Sequence, residues 1–375
     1  MKKFLSVASA SLRVASLVIC ALTALVIFIS LLAHDGVFPP ESPLFIADFI
    51  SPLWLCIPLL AAAALALIGG ARLFWVPAAG AALYFLLYGD ISLGALGGVL
   101  SQQAIASRHT IRAVTLNVEY YARGVDNVMD AIDRLDADVV FLGEHVLNPA
   151  QSAAMRRRLE GRMLVEGHPN STALISRLPV VWWKEVELPS HEASLSGGND
   201  PDEVVTHPHR TFIHAVVRSD SQLVHVISVR FVAGRPKNHS VQEALRWSAF
   251  MFREQTEESE FLARYLGTLH GPVIFGGDLN ACPEARTVTR LRAIATDAYM
   301  ADNVFGDFTF RVDSPTMRID YLFCMNGVSP VAASCPRVVV SDHFPVFATF
   351  ALGPAPAGPR QSIIPGSRAS APSDE

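Results

Sequence analysis

Charge is scarce in this sequence. Of its 375 residues only 17% are Asp, Glu, Lys or Arg, against about a quarter in an ordinary soluble domain. The scarcity is local. Residues 1–107 hold four Lys/Arg (Lys2, Lys3, Arg13, Arg72) and four acids (Asp35, Glu41, Asp48, Asp90), too few to cover a soluble fold. Cysteine is scarce too. Five in the whole chain exclude a disulfide scaffold, and none has zinc-site spacing. No internal repeat is visible, which removes solenoids and propellers. Positive charge is not in excess either. Removing four of each sign in 1–107 and two of each in the tail from 30 Lys/Arg and 35 Asp/Glu leaves 24 against 29 over 108–352, a net of −5. A general nucleic-acid binder neutralises phosphates with cations, so this acidic stretch argues against a nonspecific nuclease.

What residues 1–107 do contain is three charge-free runs, 14–33, 49–71 and 73–89. A spanning helix needs about 20 apolar residues, with a lower limit near 17. The pattern predicts three transmembrane helices over about 14–33, 49–71 and 73–92, the last two hinged at Gly69, Gly70 and Arg72. The first run is longer than the apolar core of about 7–15 residues in a cleaved signal peptide. Lys2, Lys3 and Arg13 flank its start, Arg72 lies in the hinge, and 34–48 carries only acids. Positive charge stays inside, so the N-terminus is cytoplasmic. Three crossings give a multi-pass cell-membrane protein whose remaining domain is extracytoplasmic; two would reverse that side.

Residues 108–352 read as one α/β or α+β domain. Strands are expected at Ile111–Val118, Asp138–Leu142, Thr172–Ser176, Thr211–Val217, Leu223–Phe231, Val273–Phe275, Ile319–Phe323 and Pro345–Phe350. Helical spacing marks Val125–Leu135 and 241–266. Partial alternation of the two favours a mixed-sheet sandwich over a pure parallel sheet. Residues 189–210 form a long polar loop with His191, His207 and His209, and 353–375 is a disordered tail rich in Pro, Ala and Ser.

Acids and amides end several of these strands. Asn117 and Glu119 are two apart and would share a strand face; so would Asp278 and Asn280 in Gly277-Asp278-Leu279-Asn280. Glu144 follows one strand, Asp320 begins another, and Asp342-His343 precedes the last. Oxygen-rich clusters suit hard cations such as Mg²⁺, and a His beside a carboxylate suits proton transfer. Singly each motif has a bland reading, such as a turn at Asp-x-Asn. Their order carries more.

That order resembles the endonuclease/exonuclease/phosphatase superfamily. The matching segments are Thr115–Glu119, Asp138–Glu144, Ala173–Pro179, Gly276–Ala281, Arg318–Phe323 and Ser341–Val346, six ordered motifs over roughly 110–350. The resemblance implies a two-sheet sandwich flanked by helices, with the site at one rim. It implies that Glu144 binds Mg²⁺ (or Mn²⁺), with Glu119 and Asn117 beside it and Asp342 supporting a second metal position. Asp278 would align or deprotonate the attacking water, and Asn280 would hold a phosphate oxygen. His343, oriented by Asp320, would stabilise the transition state or move the proton.

Two positions depart from the superfamily pattern. Gly143 stands where Gln commonly precedes the metal Glu, and Arg230 ends the stretch Ile227–Phe231 where many members place a His. An Arg binds phosphate bidentately but cannot give up its proton. Arg230 is therefore expected to hold phosphate charge, or else to make a salt bridge away from the site. His207, His209 or His239 could substitute from loops. Cys324 and Cys335 could pair in an oxidising compartment, whereas Cys282 reads as a packed thiol.

The reading is then a membrane-anchored phosphoesterase. Its partners are the bilayer and a phosphodiester, pyrophosphate or phosphomonoester, with an envelope lipid phosphate as the candidate carrier. A membrane-bound group of the superfamily linked to glycopeptide-antibiotic resistance has a similar layout. The alternatives are a metal-dependent nuclease and a catalytically impaired binding or sensor module on the same fold.

Overall fold

The computed structural model describes residues 2–34, 52–71, 74–88, 90, 92, 109–167, 172–189, 210–233, 241–315 and 317–353. Asp35, Glu41, Asp48, Arg72, His191, His207, His209, His239 and the tail from 354 lie outside the described residues. Two compact units emerge.

The first unit contains α1 (Lys2–His34), α2 (Pro52–Ile68) and α3 (Trp75–Tyr88). Residues 241–253 and 282–286 group with it. Ser16 Oγ donates to the Ala62 carbonyl at 2.8 Å and Ser9 Oγ to that of Gly69 at 2.5 Å. Small polar side chains of this kind let apolar helices lie close and bond across. Leu55, Cys56 and Leu59 of α2 pack with Ala81 and Tyr84 of α3. Val14, Leu17, Leu22, Phe28, Leu60 and Leu83 remain exposed.

Where the runs predict three spanning helices, one is long enough among the described residues. Val7–Ser30 of α1 offers 24 residues at a mean hydropathy of 2.6. With 17 and 14 residues, α2 and α3 fall short of the length that a core of about 30 Å requires at 1.5 Å per residue. Pro52 opens α2 and the turn at Gly69 and Gly70 closes it. Counting uncharged residues runs through both breaks; helix geometry does not.

The second unit is a sandwich. Its strands are β1 (Thr110–Asn117), β2 (Val139–Gly143), β3 (Met163–Glu166), β4 (Thr172–Ser176), β5 (Val180–Glu187), β6 (Thr211–Ser219), β7 (Gln222–Arg230), β8 (Val273–Asp278), β9 (Thr296–Asp297), β10 (Asp320–Met325), β11 (Val328–Ser334) and β12 (Val346–Leu352). They form two six-stranded sheets, β11-β12-β1-β2-β4-β3 and β5-β6-β7-β8-β10-β9. Both sheets are mixed: β1–β2 and β7–β8 are parallel, and their other neighbours are antiparallel.

The two-residue period of strands decides the layers. Ile111, Ala113, Val139, Phe141 and Leu174 meet Ile213, Ala215, Val226, Ile274 and Leu322 between the sheets. The alternate residues Val114, Leu116, Val140, Leu142 and Ile175 face outward onto α4 (Val125–Leu135), which contributes Val128, Met129 and Ile132, and α5 (Pro149–Arg158), which contributes Met155. A long helix, α6 (Val241–Gly267), carries residues of both units.

Two glycines set the closest strand approach. A Cβ on Gly276 would lie 2.2 Å from the Tyr321 carbonyl oxygen, and one on Gly277, at φ 148°, 1.7 Å from that of Val229. No side chain fits either place. Gly277→Ala is therefore expected to lower stability by about 3 kcal/mol or more, from overpacking together with backbone strain; chemical denaturation against the parent chain measures it.

The second sheet also carries a partly buried polar chain centred on His214. His225 Nε2 lies 3.1 Å from the His270 carbonyl oxygen, His225 Nδ1 2.9 Å from His214 Nε2, and His214 Nδ1 2.6 Å from the Tyr265 hydroxyl. The carbonyl can only accept, so His225 carries its proton on Nε2. His214 then donates from Nε2 and accepts from Tyr265. Both rings are neutral in this arrangement. Burial pushes His214 down to about 3, with His225 and Lys184 adding to the effect, and burial also lowers His225. The unfolded chain therefore takes up these protons first. Stability should be full above the ordinary histidine value of about 6.5 and fall as pH drops from there toward 3. Melting temperatures across that window should show it, with a shallower fall in His214→Gln.

Candidate active site

The second unit brings three strand ends into one row. Register pairs Arg230 of β7 with Asp278 of β8, and Asp278 with Asp320 of β10. In the other sheet Asn117 pairs with Gly143, one residue before Glu144. Asn117 joins the row directly: its Nδ2 donates to Asp278 Oδ2 at 3.0 Å.

Asp278 is buried and also accepts the Asn280 N–H at 2.9 Å. Burial raises its carboxyl and the nearby Asp320 raises it further. His343, Arg230 and the Asn280 N–H oppose this, and the result is about 6. Asp320 Oδ2 accepts a hydrogen bond from His343 Nδ1 at 2.8 Å. Burial alone would favour a neutral His343, but Asp320, Asp278 and Asp342 outweigh it and hold the ring charged up to about 9. The dyad is braced from behind. Thr309 Oγ1 accepts the N–H groups of Ile319 and Asp320, Ser341 Oγ accepts that of His343, and the Phe310 ring lies 4.8 Å from the imidazole.

The loops leaving β7 and β8 are held by α6. Gln255 Nε2 donates to the carbonyls of Val232 and Asn280 at 3.1 and 2.9 Å, and Glu258 accepts the Val232 N–H at 2.9 Å. Arg210 in turn grips Glu254 and Glu258 at 2.6 and 2.5 Å. Asn280, at φ 49°, donates from Nδ2 to the Phe231 carbonyl at 3.1 Å.

Several expected placements differ. Glu119 does not share a face with Asn117, because β1 ends at Asn117 and Glu119 opens a 3₁₀ turn. Glu144 sits just past β2 and takes Arg230 Nη2 on Oε1 at 2.7 Å. Arg230 therefore makes a salt bridge, but inside the site. Its stem passes Gly143, where a Cβ would lie 3.7 Å from Arg230 Cδ. The two departures from the superfamily pattern are thus neighbours in space. Asp342 is 38% exposed, with Oδ1 3.7 Å from His343 Nε2. Asp278, Asp320 and His343 form a compact group whose side-chain oxygen and nitrogen atoms lie within 4.8 Å of one another.

Cys324 and Cys335 are free thiols; they donate to the carbonyls of Val328 and Phe308, and burial pushes both up to about 12. Cys282 is a buried thiol. Thr309 and Phe310 escape sequence reasoning, since no motif covers their loop, which backbone bonds and the isolated bridges Phe310↔Met317 and Phe310↔His343 bring to the dyad.

The donor set fits a hard divalent cation. Asp320 Oδ1 is fully buried with no hydrogen-bond partner, and carboxylates dominate the group. Arg230 Nε is likewise a buried donor without a hydrogen-bond partner, beside an acid cluster that would receive an anion only through such cations.

Comparison with known proteins agrees with this layout. The sequence profile of the Endonuclease/Exonuclease/phosphatase family matches residues 114–343. A crystal structure of an endonuclease/exonuclease/phosphatase from Bacteroides vulgatus is similar at a TM-score of 0.50 and 16% identity, covering 65% of this chain and 99% of that one. D. rerio TDP2 complexed with single-strand DNA product gives 0.49 at 18% identity, covering 64% and 98%. The human Nocturnin catalytic domain with bound sulfate gives 0.46 at 16%, covering 65% and 95%. Among curated proteins no sequence match is found. The enzymes of the matched family are hydrolases of phosphoric esters and generally depend on a divalent metal. With more than half of its length matched and an Asp–His dyad beside a buried acid at the strand ends, this chain belongs to the Endonuclease/Exonuclease/phosphatase family and is a hydrolase acting on phosphoric ester bonds.

Proposed function

We propose that the protein is a membrane-anchored, metal-dependent phosphoesterase whose substrate is a phosphodiester, pyrophosphate or phosphomonoester carried on an envelope lipid. The observation that carries the chemistry is the row Arg230–Asp278–Asp320 with His343 bonded to its far end. Asp278, raised toward neutrality, takes the proton of the attacking water. Asn117 and the Asn280 N–H keep its two oxygens in place. Arg230 offers its unbonded Nε to a phosphoryl oxygen, and Asn280 stands beside it. His343 is charged at neutral pH and donates from Nε2 to the oxygen that leaves, while Asp320 fixes its tautomer. A Mg²⁺ or Mn²⁺ ion held by Glu144 would polarise the phosphoryl group.

The location rests on α1. Its exposed apolar residues and 24-residue apolar stretch support a single crossing. One crossing with Lys2, Lys3 and Arg13 inside leaves the catalytic unit extracytoplasmic, the same side that three would give. A net of −5 over 108–352 disfavours polynucleotides. A lipid-linked phosphate shares the anchor's bilayer, and that proximity supports the lipid reading.

A metal-dependent screen of the full-length protein against polyprenyl pyrophosphates, phospholipids, nucleotides and DNA tests this. Turnover of a lipid phosphate is expected; turnover confined to DNA, weakened steeply by salt, would contradict it. Asp278→Ala and His343→Ala should each lower kcat by about two orders of magnitude or more, with melting temperature as the control for folding. Arg230→Lys should raise KM and keep part of the activity, because the charge stays and the planar fork is lost; Arg230→Ala should lose more of kcat/KM.

A further inference from the structure

Three consecutive residues other than glycine, Glu119, Tyr120 and Tyr121, have left-handed backbones at φ 46°, 51° and 59°. Such a conformation costs an L-residue about 1–2 kcal/mol. A turn needed only for the fold would be cheaper with Gly or Asn. This one is fastened at both ends. The Glu119 N–H donates to Asn117 Oδ1 at 3.0 Å, and the Tyr121 N–H to the Val118 carbonyl at 2.8 Å. Tyr121 is buried, its hydroxyl 2.5 Å from His145 Nδ1, and His145 Nε2 lies 2.9 Å from Glu166 Oε1. His145 directly follows Glu144, itself left-handed at φ 54° and bonded to Arg230. A Glu166–His145–Tyr121 chain, buried at Tyr121 and His145 and open at Glu166, thus ties the turn to the loop that carries Glu144.

What this mount holds out is Tyr120, 49% exposed. The turn leaves Asn117, which bonds Asp278, and is tied through His145 to the Glu144 loop that Arg230 holds, so Tyr120 stands at the Arg230 end of the row. Strain kept in place by several fixed contacts, with an exposed aromatic at its apex, marks a functional position. We propose that Tyr120 is a substrate-contact residue whose ring packs on the apolar group that remains esterified to the phosphate, and that Tyr121, His145 and Glu166 are its positioning residues. This rests on the phosphoesterase reading, in which the departing oxygen lies at the His343 end and the retained group at the Arg230 end.

Three diesters releasing the same p-nitrophenolate separate the cases: methyl, hexyl and phenyl p-nitrophenyl phosphate. With the full-length protein and Mg²⁺ or Mn²⁺, Tyr120→Ala should raise KM for the hexyl and phenyl esters about tenfold. Its kcat, and its KM for the methyl ester, should stay within about twofold, and Tyr120→Phe should keep parent values. Tyr121→Phe, which keeps the ring and removes the bond to His145, should reproduce part of the KM rise. Equal loss on hexyl and phenyl esters identifies a lipid-like contact, and loss on phenyl alone a planar group; both support the proposal. Parent-like KM in Tyr120→Ala, or one equal loss across all three esters, would overturn it and leave the phosphoesterase reading standing. No hydrolysis of any ester by the parent would take down both.

Discussion

Gly276 and Gly277 let β8 run so close to β7 and β10 that no Cβ could stand between them. That approach delivers Arg230, Asp278 and Asp320 side by side at strand ends. The rest of the site is arranged around the row. Asn117 reaches it from the opposite sheet, and His343 reaches it from the segment before β12. A strand pair at ordinary side-chain spacing would separate these groups by intervening bulk. The glycine pair is thus a backbone condition for the chemistry rather than a flexible joint.

Bringing buried carboxylates together is unfavourable unless cations accompany them. Asp278 and Asp320 are both buried and Glu144 is close by, with Arg230 and a charged His343 as their compensation. Each cation has a task besides neutralising. Arg230 holds Glu144 and keeps one donor unused, while His343 keeps a second nitrogen beyond its bond to Asp320. The same low-dielectric environment raises Asp278 toward the range in which a base works at neutral pH. Stability and reactivity therefore depend on the same charges, and α6 supplies the rigidity by clamping the two loops through Gln255 and Glu258.

Much of this was legible in the residues. Apolar and β-rich stretches located β1, β2, β4, β6, β7, β8, β10 and β12, and helical patterns located α4 and α6. Motif order located the segments of the row. Strands β3, β5, β9 and β11 escaped, as did α5 and the helices Arg286–Arg292 and Ala298–Asp302. The residues of β5 are nearly all half-exposed, so no alternation shows; β11 contains Pro330 at a register shift; β3 is four residues long. The helix α5 buries Met155 alone, so no apolar stripe shows, although its Asn148–Gln151 capping box was a readable start signal. The membrane count failed because absence of charge does not report helix ends. Within the site, strand alternation was extended past Asn117 to Glu119, where a left-handed turn ends it. Neither spacing nor composition could foresee that Arg230 would turn onto Glu144, since that contact joins two sheets 86 residues apart in sequence.

The central claim is that water, activated at Asp278, attacks phosphorus at this row of strand ends. Hydrolysis of an organic phosphodiester by the full-length protein in H₂¹⁸O with Mg²⁺, followed by mass spectrometry of both products, tests it most directly. The account predicts one ¹⁸O atom in the phosphate product and none in the alcohol. Label in the alcohol, or no release of either product, would contradict it.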